Sequence, residues 1–158
     1  MYKLIGMVAA MALVALAAGC GGDDDPVDPG ETSMCAEETR ADAYAAGMEK
    51  QGDKGLIRVR LVAGEPAPPA KGENAWTLQI TDAAGAPVDG ATIVVTPRMP
   101  DHGHGSAKTP VVTAGGVAGE YEVTAIDLAM AGFWTVAVEV TTAAGESDTA
   151  TFGFCVEG

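Results

Sequence analysis

Along most of the chain, apolar and polar residues alternate with a period of two, the spacing of strands that bury one face. Ile57, Val59 and Leu61 alternate with Arg58 and Arg60, and Trp76, Leu78 and Ile80 alternate with Thr77, Gln79 and Thr81. Ile93 and Val95 mark a third strand and Val111-Val112 a short fourth. Tyr121, Val123 and Ala125 then alternate with Glu120, Glu122 and Thr124, and Trp134, Val136, Val138 and Val140 with Thr135, Ala137, Glu139 and Thr141. A last strand sets Phe152, Phe154 and Val156 against Thr149, Thr151 and Cys155. Seven short strands separated by Gly, Pro and Asp predict an all-β fold, an immunoglobulin-like antiparallel β-sandwich, with a closed barrel as the competing arrangement.

One stretch has another period. Ala36 to Lys50 carries Ala41, Tyr44, Ala45 and Met48 at helical spacing, interrupted by Gly47, and predicts a short N-terminal helix. Cys155 falls on the strand face opposite Phe152 and Phe154, so whatever it holds is expected outside the sandwich or along its edge. If every connection reverses direction, loops 63–75, 97–109 and 127–132 share one end with Cys155, and loops 83–91, 114–118 and 142–147 share the other.

The chain begins differently. Lys3 precedes an apolar, small-residue run from Leu4 to Ala18 that is too short for a spanning helix and is expected to be a secretory signal, residues 1–19. The run ends in Ala17-Ala18-Gly19-Cys20, which resembles a bacterial lipobox, with Ala17 where such boxes carry Leu. That resemblance implies lipidation of Cys20 and anchoring in the cell envelope, and Gly21 in the next position favours the outer membrane. Residues 20–34 then form an expected tether, since Gly21 to Glu31 is made of glycines, prolines and acids with little apolar area to bury. Its aspartates lack the spacing, turn glycine and terminal glutamate of a calcium loop. The sandwich domain is placed at residues 35–158.

With Cys20 assigned to lipid, Cys35 and Cys155 remain, and outside the cytoplasm they are expected to form a disulfide. No cysteine or histidine lies at ligand spacing from either, which argues against a metal site built on them in sequence.

The chain of 158 residues has 9 Lys+Arg against 22 Asp+Glu, a formal charge of −13. Loss of Lys3 with the signal leaves 8 − 22 = −14. Nothing basic and contiguous is present to neutralise phosphates, so nucleic acid is excluded as a partner. With two histidines, no nucleophile elbow around Ser106 and no orienting acid, the chain is not expected to be an enzyme. Trp76 and Trp134 are expected in the core, Tyr121 to bond backbone through its hydroxyl, and Pro66-Ala67-Pro68-Pro69 to be a stiff surface loop.

Both histidines lie in the long connection from Pro97 to Thr109. In His102-Gly103-His104 the two imidazoles can face one side of an extended segment, and imidazole suits Cu(II), Zn and Ni while a thioether suits Cu(I). Met99 lies beside them, and Met130 is brought to the same end by parity. Met99, His102, His104 and Met130 are therefore candidate metal ligands. The competing reading leaves the methionines as core fillers and the histidines as solvated turn residues, with Asp101 bonded to backbone.

Gly72-Glu73-Asn74 before Trp76, Asp82 through Ala91, Met99-Pro100 with Gly103-His104, Gly119-Glu120-Tyr121 and Met130-Ala131-Gly132-Phe133-Trp134 together resemble the YtkA-like domain family, related to FixH-type proteins, over residues 56–141. The resemblance implies a small extracytoplasmic β-sandwich, often membrane-anchored, acting in copper handling or respiratory-oxidase maturation. Carried over by residue, it points to Met99-Pro100, Gly103-His104 and Met130. Asp101-His102 stands where many members have a further methionine, shifting the donor set toward nitrogen. Two functions follow as expectations: an envelope lipoprotein that binds or delivers copper to an acceptor, or a non-enzymatic interaction or structural module contacting an envelope protein.

Overall fold

The computed structural model describes residues 34–158. The signal segment, Cys20 and the tether up to residue 33 lie outside the described residues.

The alternating segments form strands wherever predicted. They are β2 (Ile57–Glu65), β3 (Gly72–Asp82), β4 (Thr92–Met99), β6 (Val111–Ala114), β7 (Glu120–Leu128), β8 (Gly132–Thr141) and β9 (Ser147–Val156), joined by two short strands, β1 (Met48–Gln51) and β5 (His104–Gly105). Every pairing is antiparallel, in a five-stranded sheet ordered β1-β2-β3-β7-β6 and a four-stranded sheet ordered β5-β4-β8-β9. The inward sets close one core between the sheets: Ile57, Val59 and Leu61, Trp76, Leu78 and Ile80, then Trp134, Val136, Val138 and Val140 are all essentially inaccessible. Each fully buried aliphatic or aromatic side chain of this kind contributes about 1.5–3 kcal/mol. Trp76 meets Phe152 and Phe154 edge-on, with ring centres 5.8 and 5.7 Å away.

Two sequence expectations need correction. Ala36 to Lys50 is not a helix: it runs as turns and irregular chain into β1, and among the described residues helix is confined to one 3₁₀ turn at Pro100–His102. A lone helix of that length is marginal, whereas extended chain here finds partners on the free edge of β9. Asp42 N–H donates to Gly153 O (2.7 Å), Gly153 N–H donates to Asp42 Oδ2 (2.8 Å), and Asp53 N–H donates to Thr149 O (2.9 Å). We call residues 34–47 the strap. The second correction concerns β7, where a bulge between the Asn74 and Trp76 pairings puts Ala125 at φ 58°. Alternation slips by one, so Ile126 and Leu128, not Ala125, fill the core after Val123.

The disulfide forms as expected. Cys35 and Cys155 are bonded with Cα atoms 5.6 Å apart, pinning the strap to the outer face of β9. Tyr121 also behaves as expected: its hydroxyl donates to Val88 O at 2.9 Å and accepts from Ala91 N–H at 3.1 Å.

The parity of the strands sorts the loops as anticipated. Gly72 pairs with Leu128, Lys108 bonds Glu73 at 2.6 Å, and Met99 pairs with His104, which gathers loops 66–71, 100–110 and 129–131 at one end. Asn74, buried in β3, braces that end by accepting from Ala70 N–H and donating to the carbonyls of Ala70 and Gly72.

Candidate metal-binding cleft

At this end an open cleft of about 480 Å³ is lined by Met34, Glu38, Met99, Asp101, His102, Met130, Ala131, Gly132, Phe133 and Cys155. Three of the four candidate ligands therefore meet in one depression, although they come from β4, the 3₁₀ turn and the β7–β8 connection.

Each is placed by a local cause. Met99 ends β4 with its side chain only 2% exposed, so it forms the floor and packs as core. Its methyl lies where a Cβ on residue 132 would be, and Gly132 has φ 126°, so glycine is required there both by space and by backbone. Pro100 starts the 3₁₀ turn, and Gly103 in the left-handed region ends it, returning its N–H to Met99 O and Pro100 O. Met130 is 43% exposed on the rim, and its carbonyl accepts the Trp134 indole N–H at 2.8 Å, fixing the short loop over a buried aromatic.

The turn carrying His102 is anchored to the strap. Arg40 forks onto Asp101, with Nη1 to Oδ1 at 2.8 Å and Nη2 to Oδ2 at 2.7 Å, and also binds Glu38. Its guanidinium lies 4.3 Å from the centre of the Phe133 ring. The side-chain bonds from Arg40 hold the Asp101 and Glu38 carboxyls below the usual carboxylate range, and those carboxylates raise the Arg40 pKa in turn. Asp101 thus spends its oxygens on Arg40 rather than on a local backbone turn.

His104, on β5, stands beside the cleft rather than in its lining. Its ring is edge-on to His102 and to Trp134, with centres 5.8 and 6.0 Å apart. His104 Nδ1 is 3.0 Å from Gly105 O, and because a carbonyl only accepts, Nδ1 is the donor in this contact, which leaves Nε2 as the nitrogen on the free side of the ring. An ion about 2 Å from one nitrogen of each of two imidazoles sets the ring centres roughly 5 to 6 Å apart, so the observed spacing fits a shared ion. Among the described residues, no three His, Cys, Asp or Glu side chains gather as a ligand group. The donors the cleft does offer beside the imidazoles are the thioethers of Met99 and Met130, which suit soft ions such as Cu(I).

Sequence reasoning missed the strap's part in the site. Arg40 and Glu38 are unremarkable in sequence, and the contact of Arg40 with Asp101 spans 61 residues.

The fold and cleft define a two-sheet β-sandwich with a methionine- and histidine-bearing end. The pattern of the YtkA-like family matches residues 55–139, and the chain belongs to that family. A comparison with curated proteins finds no match.

Proposed function

We propose that this protein is a non-enzymatic, lipid-anchored module of the bacterial cell envelope that binds copper at the cleft and passes it to an envelope acceptor. The observation that carries the reading is the convergence of Met99, Met130 and His102 on one depression, with His104 at ligand spacing from His102. Thioethers favour Cu(I) and imidazoles favour Cu(II), so a mixed set tolerates both states and holds neither very tightly, as delivery requires. Met130 and the histidines are exposed and supply the exchangeable donors, while Met99 supplies sulfur from the floor. The family match and the disulfide, a bond that persists outside the cytoplasm, support the envelope assignment.

Titration of the purified domain with Cu(I) and Cu(II) under competition from a chromophoric chelator tests the reading. The expected result is one ion per chain, with His102→Ala/His104→Ala weakening Cu(II) at least tenfold and Met130→Leu weakening Cu(I). Unchanged affinities in both variants would overturn it.

A further inference from the structure

The cleft has a second sulfur source that the thioether and imidazole set leaves unused. Cys155 lines it beside Met99, His102 and Met130, and Cys35, bonded to Cys155, follows Met34 of the same lining. Both cysteines are half-buried, so the bond faces an open depression rather than the core. We propose that Cys35–Cys155 is a reducible switch whose thiolates, once freed, join the Met130 thioether in a high-affinity Cu(I) site. This rests on the cleft reading above for its thioether, but it assigns the affinity to a different pair of residues.

The chemistry balances with a dithiol donor. Such a donor breaks the Cys35–Cys155 bond, giving two thiols, and closes its own disulfide, so two electrons and two protons pass to the protein. Copper then displaces the thiol protons, since the thiolate is the ligand. Two thiolates with one thioether are a set that Cu(I) prefers strongly over imidazole, so reduction raises affinity without any other ligand changing.

Reduction must leave the cysteines close, and the strap provides for that. Asp42 exchanges two hydrogen bonds with Gly153, Lys50 pairs with Asp42, and Arg40 grips Asp101, all independent of the S–S bond. Residues 38–42 therefore keep the Cys35 end of the strap against β9 when the sulfurs separate. In the oxidised state the sulfurs are tied to each other and cannot act as thiolates.

The test compares Cu(I) affinity of the protein oxidised and after reduction with a phosphine, a reductant free of competing thiols. Near-ultraviolet circular dichroism of the buried tryptophans reports whether the reduced domain stays folded. The expected result is a gain of at least 100-fold on reduction, absent in Cys35→Ser/Cys155→Ser, and a loss of at least tenfold in the reduced form of Met130→Leu. Equal affinity of the reduced wild type and the double serine variant would overturn the proposal. So would a reduced protein that binds Cu(I) with no sensitivity to Met130→Leu, because its thiolates would then act away from the cleft. If the oxidised protein binds no copper while the reduced one shows the full gain and the Met130 dependence, the thioether and imidazole reading fails and the switch stands.

Discussion

Asp148, at the start of β9, is 2% exposed, and burial alone would push its carboxyl toward the neutral form. Four backbone donors reverse that: Lys54 N–H and Thr149 N–H reach Oδ1 at 2.9 and 2.8 Å, and Leu56 and Ile57 N–H reach Oδ2 at 2.8 and 3.4 Å. Together they hold its pKa below the ordinary carboxylate value of about 3.9. The stability this supplies is full above that ordinary value and fades as pH falls through the lowered native one. Replacing Asp148 by Ala leaves buried donors unpaired and should cost about 3 kcal/mol at pH 7. In urea titrations the gap between wild type and variant should narrow on acidification below pH 4, and a gap independent of pH would refute the assignment. Gly52 belongs to the same device, since a Cβ there would strike the Asp148 carboxylate, and Gly52→Ala should destabilise comparably. None of this is legible in the chain, because the acceptor and its Lys54 to Ile57 donors lie more than 90 residues apart and the donors are backbone. The tryptophans were legible as core residues from alternation alone. Only the structure separates them: the Trp134 indole is bonded to Met130 O, while the Trp76 Nε1 has no partner among the described residues.

The strap is the element whose local and global preferences disagree. Ala41, Tyr44, Ala45 and Met48 have helical spacing, yet Gly47 at φ 81° breaks the register and β1 takes Met48 to Gln51 into the sheet. Backbone partners on the free edge of β9, the Gly153 carbonyl and N–H, are worth more to this segment than a helix with nothing to pack on. The β7 bulge misleads sequence reading for a related reason: period two holds only while the ladder does, and the slip at Ala125 transfers the buried role to Ile126. Arg40 couples the strap to the site. Its guanidinium and the Asp101 carboxylate are about half exposed, so Arg40→Ala should leave the global unfolding midpoint nearly unchanged. The turn Pro100–His102 should loosen instead, with amide hydrogen exchange at Gly103 several-fold faster and exchange in β8 unaffected. On the copper reading, affinity should fall about tenfold with it, as for partners that orient a ligand. Exchange at Gly103 equal to that of the wild type would show that Arg40 does not position the turn.

Over the whole molecule, strand parity carried the sequence reading furthest. Knowing only that successive strands reverse, it brought Met99, His102, Met130 and Cys155 to one end, and that end holds the cleft. Parity cannot give depth, however, and the burial of Met99 beside the exposure of Met130 depends on Gly132 and on the close approach of the Met99 methyl. The disulfide is likewise a property of the whole chain. It closes a separation of 120 residues, for which the chain-entropy account allows up to about 5 kcal/mol by restricting the unfolded state. Neither cysteine belongs to the core between the sheets, and Asp42 bonds the strap to β9 through Gly153 independently of the sulfurs. Cys35→Ser/Cys155→Ser should therefore lower the urea midpoint by the equivalent of about 3–5 kcal/mol while near-ultraviolet circular dichroism stays native. The urea slope should increase slightly, because an uncrosslinked chain exposes more surface on unfolding. A midpoint shift below about 1 kcal/mol would mean that the bond contributes little to folding. Loss of the native spectrum before any urea is added would mean that the strap depends on the bond, and a reducible switch at that position would then have no folded state to return to.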